Sequence, residues 1–230
     1  MLKQQIKRPM INIFGYKWWE LLSPFFKTEE WKDIVHLINT DRKQNIVIPE
    51  QGSNLFFKIF KDLQPDDIKV VILGQDPYCQ SKNIYDGYAF SCSNTINPQP
   101  SLRNIIKEIE RTFPDNLNLN RNDLSYLVKQ GVFLCNTALS VILNKPDSHT
   151  NIWNKFTTFW IDVLSSYNQD IIWLLMGNKA HNFEIFINYG DILKTGHPSP
   201  LNTSNPFVTS DAFIKINEGL IKLNKQEINW

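Results

Sequence analysis

Three short stretches of the chain bring together residue types that can do chemistry. They are Gly74-Gln75-Asp76-Pro77-Tyr78, the apolar run 131–136 ending on Asn136-Thr137, and Gly196-His197-Pro198-Ser199-Pro200-Leu201. The first sets a carboxylate on a stiff turn, entered by glycine and backed by proline, directly after the apolar run Val70 to Leu73. An acid facing an imidazole, with an amide to read a polar ring edge and aromatics to stack on it, suits one kind of bond cleavage. The transition state would be cationic on one side and anionic on the other, with Asp76 stabilising the cation and positioning water. His197 would donate a hydrogen bond to the departing anion. Other chemistries fit less well. Cys79 lies close to Asp76, but nothing near it looks like a base, and an aspartate raises a thiol pKa. No glycine-rich phosphate loop follows the first strand. The histidines at 36, 149, 181 and 197 have neither the spacing nor the thiol partners of a structural metal site. Singly, each residue has a plainer reading: Asp76 as a turn residue, Asn136 as a strand-end cap, His197 as a loop histidine before proline, Phe90 as core, Ser101 as a helix cap.

The elements that must position these residues can be read from hydrophobic pattern. Continuous apolar runs at 68–73, 131–136 and 171–176, with a fourth, shorter run at 191–195, predict strands buried on both faces. Helical stripes lie between or after them: Leu102, Ile105, Ile106 and Ile109 after Pro100-Ser101; Trp153, Phe156, Trp160, Val163 and Leu164; and Phe213, Ile216, Leu220 and Leu223. Strands alternating with helices imply a three-layer α/β/α fold around a central four-stranded, mainly parallel sheet. In such folds ligands gather outside the carboxyl ends of the strands. The acid, the amide, the Gly177-Asn178-Lys179 turn and the histidine all follow strand ends.

Composition bounds the rest. At 230 residues, with 42% hydrophobic and 13% aromatic content, the chain suits one packed domain spanning 1–230, and no repeat or linker divides it. A balance of 24 basic to 23 acidic residues argues mildly against a nucleic-acid binder, unless its cations share one face. The unpaired spacing of Cys79, Cys92 and Cys135, and a polar start without a secretory signal, point to a reducing, cytoplasmic setting. The longest apolar run, Ile171 to Met176, is too short to span a bilayer.

The motifs GQDPY (74–78), GYAFS (87–91), PQPSL (98–102), GVFLCNTALSV (131–141), LLMGNKA (174–180) and HPSPL (197–201) together resemble the family I uracil-DNA glycosylases. The resemblance runs from about residue 68 to 213, with a weaker echo at 47–60; the first forty residues, expected to be a helical extension, carry no family motif. It implies a monofunctional uracil-DNA N-glycosylase of base-excision repair, without metal or cofactor. Residue by residue, Asp76 is the implied water-orienting carboxylate and His197 the neutral donor to uracil O2. Asn136 pairs with the N3–H and O4 edge, Phe90 stacks on the ring, Tyr78 excludes the thymine methyl, and Gln75 shapes the pocket. Leu201 is the implied wedge filling the space of the flipped base. Ser101 and Ser199 hold phosphates, and Pro98, Gly177 and Asn178 belong to the DNA face. The implied partner is uracil-containing DNA, single- or double-stranded, with a proteinaceous inhibitor or replication proteins as further partner classes. A monomer is expected, in the nucleus if the host is eukaryotic. Three departures stand out. Cys79 replaces the usual histidine, which predicts a lower rate. Asp86 puts an acid near the expected DNA path. The arginine usually found after the wedge is missing from "NTSNPFVTSDAF" (202–213). These departures admit two rivals: a catalytically weak member serving as a DNA-binding subunit, and a glycosylase of relaxed specificity, which Tyr78 opposes.

Overall fold

The computed structural model describes residues 12–115, 122–202 and 207–230, so residues 1–11 of the expected N-terminal extension lie outside the described residues. In chain order the elements are α1 (Tyr16–Leu22), α2 (Glu29–Asp41), β1 (Val47–Ile48), α3 (Lys58–Asp62), β2 (Val70–Gly74), α4 (Pro100–Thr112) and α5 (Ser125–Val128). There follow β3 (Val132–Asn136), β4 (Val141–Ile142), α6 (Thr150–Tyr167), β5 (Ile172–Met176), α7 (Asn178–His181), β6 (Asp191–Thr195) and α8 (Ala212–Lys222).

The four apolar runs fold as β2, β3, β5 and β6, in the sheet order β3-β2-β5-β6, with every neighbouring pair parallel. Every residue of β2, β3 and β5 is buried, as expected for strands covered on both faces. Strand β6 closes one edge and exposes Asp191 and Lys194, charges that suit an unpaired edge. The register sets Gly74 beside Asn136 and Met176 beside Thr195, so the carboxyl ends of the strands finish level. A small antiparallel pair, β1 with β4, matches Val47 to Ile142 and Ile48 to Val141. Two-residue strands leave no periodicity to read, and this pair was not expected.

One helical layer contains α1, α2 and α6, which contact one another through α6. Its apolar material is mostly aromatic: Trp18 lies 4.9 Å from Phe60, Phe60 5.1 Å from Phe133, and Phe133 5.6 Å from Trp160, ring centre to ring centre. Tilted and edge-on pairs like these each add about 0.5–1.5 kcal/mol beyond area burial. Phe14, Trp18, Leu22, Phe25, Ile34 and Ile38 all enter this core, although nothing before residue 40 carries a family motif. On the opposite face α4 buries Leu102, Ile105 and Ile109, and α8 buries Phe213, Ile216 and Leu220 against β5 and β6. Trp230 closes this layer, its ring 4.4 Å from that of Phe213. Among the described residues no helix is long and apolar enough to cross a membrane.

Glu108 interrupts the apolar stripe of α4 and is fully buried. Its carboxylate accepts the backbone N–H groups of Thr209 at 2.7 Å and Asp211 at 2.8 Å, together with a two-pronged contact from Arg111 at 2.9 and 3.0 Å. Thr209 and Asp211 both have positive φ, so this acid holds an unfavourable turn ahead of α8. Burial alone would raise the Glu108 pKa, but Arg111 and the two amides outweigh it and hold the group below its usual 4.5. Glu108→Ala is expected to cost about 3 kcal/mol, or roughly 6–12 °C in Tm, measured by thermal unfolding. Because the folded-state pKa lies below the unfolded one, this stabilisation is present above the unfolded value and lost as pH falls through the folded one. The gap between wild type and variant should therefore narrow below about pH 4.5.

Candidate active site

Four strand ends deliver the site. Strand β2 runs into Gln75 and Asp76, β3 ends on Asn136, β5 leads into Gly177, and β6 leads into Gly196 and His197. A cavity of about 160 Å³ is lined by Gln75, Asp76, Tyr78, Phe90, Asn136 and His197, with Ser101 at its rim. The acid and the imidazole, far apart in the chain, therefore face one space, as the strand-end reading predicted.

Asp76 Oδ2 accepts the Asp147 backbone N–H at 2.7 Å, and Gln75 Nε2 approaches Oδ1 at 3.4 Å. Burial, aided by the negative charge of Asp147, lifts the carboxyl above its usual 3.8, against the pull of these donors and of the Lys179 cation. The Gln75 carbonyl is fixed by Ala138 N–H and Thr137 Oγ1, both at 2.9 Å, so this residue shapes the site through its backbone. His197 Nδ1 accepts the Ser199 N–H at 3.0 Å, which requires a lone pair there and leaves the ring proton on Nε2. Burial, helped by Lys179, pushes the imidazole below its usual 6.5. The ring is thus a neutral donor.

Asn136 is 3% exposed at the end of β3. Its amide sits over Gly74, where an added Cβ would lie 2.2 Å from Oδ1; only glycine leaves that space. The Tyr85 hydroxyl reaches the same amide from within the core. Gly177 makes room in the same way for His197: its φ is +84°, and an added Cβ would meet His197 Cβ at 2.7 Å. Phe90 adopts φ 65°, a left-handed conformation that an aromatic side chain rarely takes. The strained turn is tied down by Tyr78, whose hydroxyl donates to the Phe90 carbonyl at 3.1 Å, and by Asp86. Asp86 was expected near the DNA path. Instead it is buried and accepts from Ser91 Oγ at 2.6 Å and Ser93 N–H at 2.8 Å, because these polar groups of the turn need an internal acceptor.

Cys79 is buried on the cavity wall, its thiol pKa raised by burial and then by Asp76, and its carbonyl accepts the Asn144 N–H at 2.8 Å. Ser199, Leu201, Gly177 and Asn178 line an adjoining groove of about 380 Å³ that also reaches His197. Leu201 is 91% exposed, and its N–H donates to Ser199 Oγ at 3.3 Å. Asn104 of α4 donates to the Pro198 carbonyl at 2.8 Å, tying the helix that carries Ser101 to the histidine loop. Pro98 is half-buried ahead of α4 and does not line the Asp76 cavity. Residues 203–206, within the segment where the arginine is missing, lie outside the described residues. Sequence reading passed over Gly74, Tyr85 and Asp147 as site residues; Gly74 stood inside a quoted motif, while Tyr85 and Asp147 carried no signal that could have singled them out.

A polar cavity at the carboxyl edge of a parallel sheet, bringing a carboxylate, an imidazole and a buried amide together, marks an α/β enzyme of the strand-end type. Comparison with known proteins narrows the class. Residues 60–221 match the family model of the uracil DNA glycosylase superfamily. Uracil-DNA glycosylases of Buchnera aphidicola and Borreliella burgdorferi are 38% and 39% identical over 216 residues, covering 93% of this chain and 97% and 96% of theirs. The crystal structure of mimivirus uracil-DNA glycosylase superposes with a TM-score of 0.88 at 26% identity, over 96% of this chain and 88% of that one. A single-site variant of the mimivirus enzyme in complex with UGI gives 0.85 at 25% identity, over 96% and 90%. The chain belongs to the uracil DNA glycosylase superfamily.

The hydrogen bond at Nδ1 makes a direct prediction. Nitrogen-15 NMR of His197 should show a neutral ring protonated at Nε2 at pH 7, titrating only below 6.5. An imidazolium at neutral pH, or a proton on Nδ1, would contradict the geometry.

Proposed function

We infer that the chain hydrolyses the N-glycosidic bond of deoxyuridine in DNA, releasing uracil and leaving an abasic site. The observation that carries this reading is the single cavity shared by Asp76, Asn136 and His197. A base inside a duplex cannot reach such a cavity, so the nucleotide must swing out of the stack, at a cost of a few kcal/mol. The exposed Leu201 is suited to fill the gap, with Ser101, Ser199 and the Gly177-Asn178 turn on the phosphates either side. Pro98, in the loop ahead of α4, completes that face.

Within the cavity Phe90 stacks on the ring, and the Asn136 amide pairs with N3–H and O4. Cytosine presents the reverse donor pattern, and leaving a buried amide unpaired costs about 1–3 kcal/mol. Tyr78, fixed through its hydroxyl, stands against C5 and leaves no space for a methyl group. As the C1′–N1 bond lengthens, its electron pair passes to the ring and charge builds on O2, where His197 Nε2–H donates. The sugar becomes cationic and is stabilised by the Asp76 carboxylate, which also aligns the attacking water and takes up its proton. The leaving group is a resonance-stabilised anion, so the second carboxyl group of a typical glycosidase is not needed.

The partner is therefore uracil-containing DNA, and a protein of the kind seen with the mimivirus variant would compete for the same face. Unpaired thiols at Cys79, Cys92 and Cys135 accord with a reducing compartment.

Uracil release from a single-stranded oligonucleotide, read as strand cleavage after alkali, tests the reading. Asp76→Asn is expected to lower kcat by about 10²–10³-fold or more while still binding the substrate; near-wild-type turnover would remove Asp76 from the mechanism. Tyr78→Ala should release thymine from a thymine-containing strand, whereas an unchanged substrate range would place the C5 filter elsewhere. Asp76 acts as the carboxylate and His197 as the neutral imidazole bearing its proton on Nε2. With His197 held below its usual 6.5 and Asp76 raised above its usual 3.8, kcat should fall on the acid side as either group takes up a proton.

A further inference from the structure

Asp76 owes its orientation to a donor that is itself held from a distance. The close hydrogen bond to its carboxylate comes from the Asp147 backbone N–H at 2.7 Å, while the Gln75 contact is long. Asp147 belongs to the loop 143–149 that leaves β4. The loop's start is fixed by Leu143 N–H to Ile46 O and Asn144 N–H to Cys79 O, each 2.8 Å. Its end is fixed by Ile142 N–H to Ser148 Oγ at 2.8 Å and by the buried His149, 2.7 Å from Ser140 Oγ. Between these anchors Asp147 sits at φ 68°, a left-handed conformation that an aspartate tolerates but does not prefer.

The Asp147 side chain adds two further contacts at this tip. Its carboxylate is ion-paired to Lys179 Nζ and accepts Thr150 Oγ1 at 3.1 Å. Lys179 comes from a different wall, the α7 turn that follows β5 and packs behind His197. The pair thus bridges two independent strand-end loops beside the site. Both side chains are about half exposed, and exposed ion pairs contribute only about 0–1 kcal/mol to stability. A contact of so little value to folding, made by the same residue that donates to the acid, is better explained by position than by stability.

We propose that Lys179 and Asp147 are positioning residues for catalysis: their ion pair locks the 143–149 loop so that the Asp147 N–H aims the Asp76 carboxylate at the reacting carbon and water. The inference rests on Asp76 being the catalytic carboxylate. Lys179 also lines the groove beside His197, so the same cation favours the charged acid and the neutral imidazole.

The rival role for an exposed lysine here is a phosphate contact, and kinetics separates the two. Lys179→Met and Asp147→Gly, the second keeping the N–H but losing the carboxylate, are compared with Lys179→Arg in uracil release at several salt concentrations. Misplacing a reacting group by about 1 Å costs up to about 10²-fold, so each of the first two should lower kcat by about 10- to 100-fold. KM should stay within about twofold, the dependence of KM on salt should be unchanged, and Tm should hold within about 2 °C, as expected for an exposed pair. Lys179→Arg should recover most of kcat, and the double variant should be no worse than either single one. The proposal is overturned if kcat is unchanged in Lys179→Met. It is equally overturned if the loss lies in KM, with the log–log salt slope reduced by about 0.7, the signature of one lost phosphate contact on a single strand. Asp76→Asn is measured alongside. If that variant is inactive while Lys179→Met is normal, only the positioning role falls; if Asp76→Asn is itself active, the underlying assignment of Asp76 falls.

Discussion

Partial dehydration of Asp76 beside His197 is the constraint on which the rest of the structure depends. Water would solvate the carboxylate, protonate the imidazole more easily and weaken every charge-dipole contact in the cavity. Removing it lowers the base toward the neutral form the reaction uses but raises the acid, working against the carboxylate form. The cost is offset by fixed groups: an amide on Asp76, an amide on Nδ1 of His197, and the nearby Lys179 cation. Such groups are aligned before any substrate arrives, which is why they are worth more than mobile water.

Holding those groups in a small cavity demands room, and glycine supplies it at two strand ends. Gly74 gives way to the Asn136 amide and Gly177 to the His197 ring, each at a spacing that any Cβ would violate. Where a large side chain is wanted instead, the backbone takes the strain, as at Phe90 and Asp147. Each strained residue has a buried or bridged polar anchor nearby. Asp86 accepts from the turn that carries Phe90, and Lys179 holds Asp147.

The same logic extends to polar groups far from the chemistry. Ser140 Oγ receives the Trp153 Nε1–H at 2.7 Å and lies 2.7 Å from His149 Nδ1, whose Nε2 faces Asp41 at 3.1 Å. In outline this is a Ser-His-Asp set. Ser140 and His149 are fully buried, however, so no substrate can reach the hydroxyl, and burial holds the imidazole below 6.5. Its work is structural, joining α2 to the end of the loop that carries Asp147. Glu108 plays a comparable part on the other face, and an aromatic core clamps the sheet between the two layers.

The fold was legible because burial on both faces leaves unbroken apolar runs, and β2, β3 and β5 carry that mark from end to end. Asp76 and Asn136 were legible because they close such runs, and His197 because it follows the shorter, partly exposed run of β6; a parallel sheet must bring those ends together. The fate of Asp86 was not. A carboxylate near a glycine turn looks solvated, and only the folded turn shows that its hydroxyl and amides close inward on it. Nor could local pattern reveal that the Asp147 N–H meets Asp76, or that Lys179 meets Asp147, since these pairs join segments 71 and 32 residues apart. The sequence by itself determined the strands, their order of chemistry-bearing ends and the residue types available. Which backbone amide meets which acid, and which exposed charge bridges two loops, depended on tertiary packing, because such contacts are long-range and leave no periodic trace in the chain.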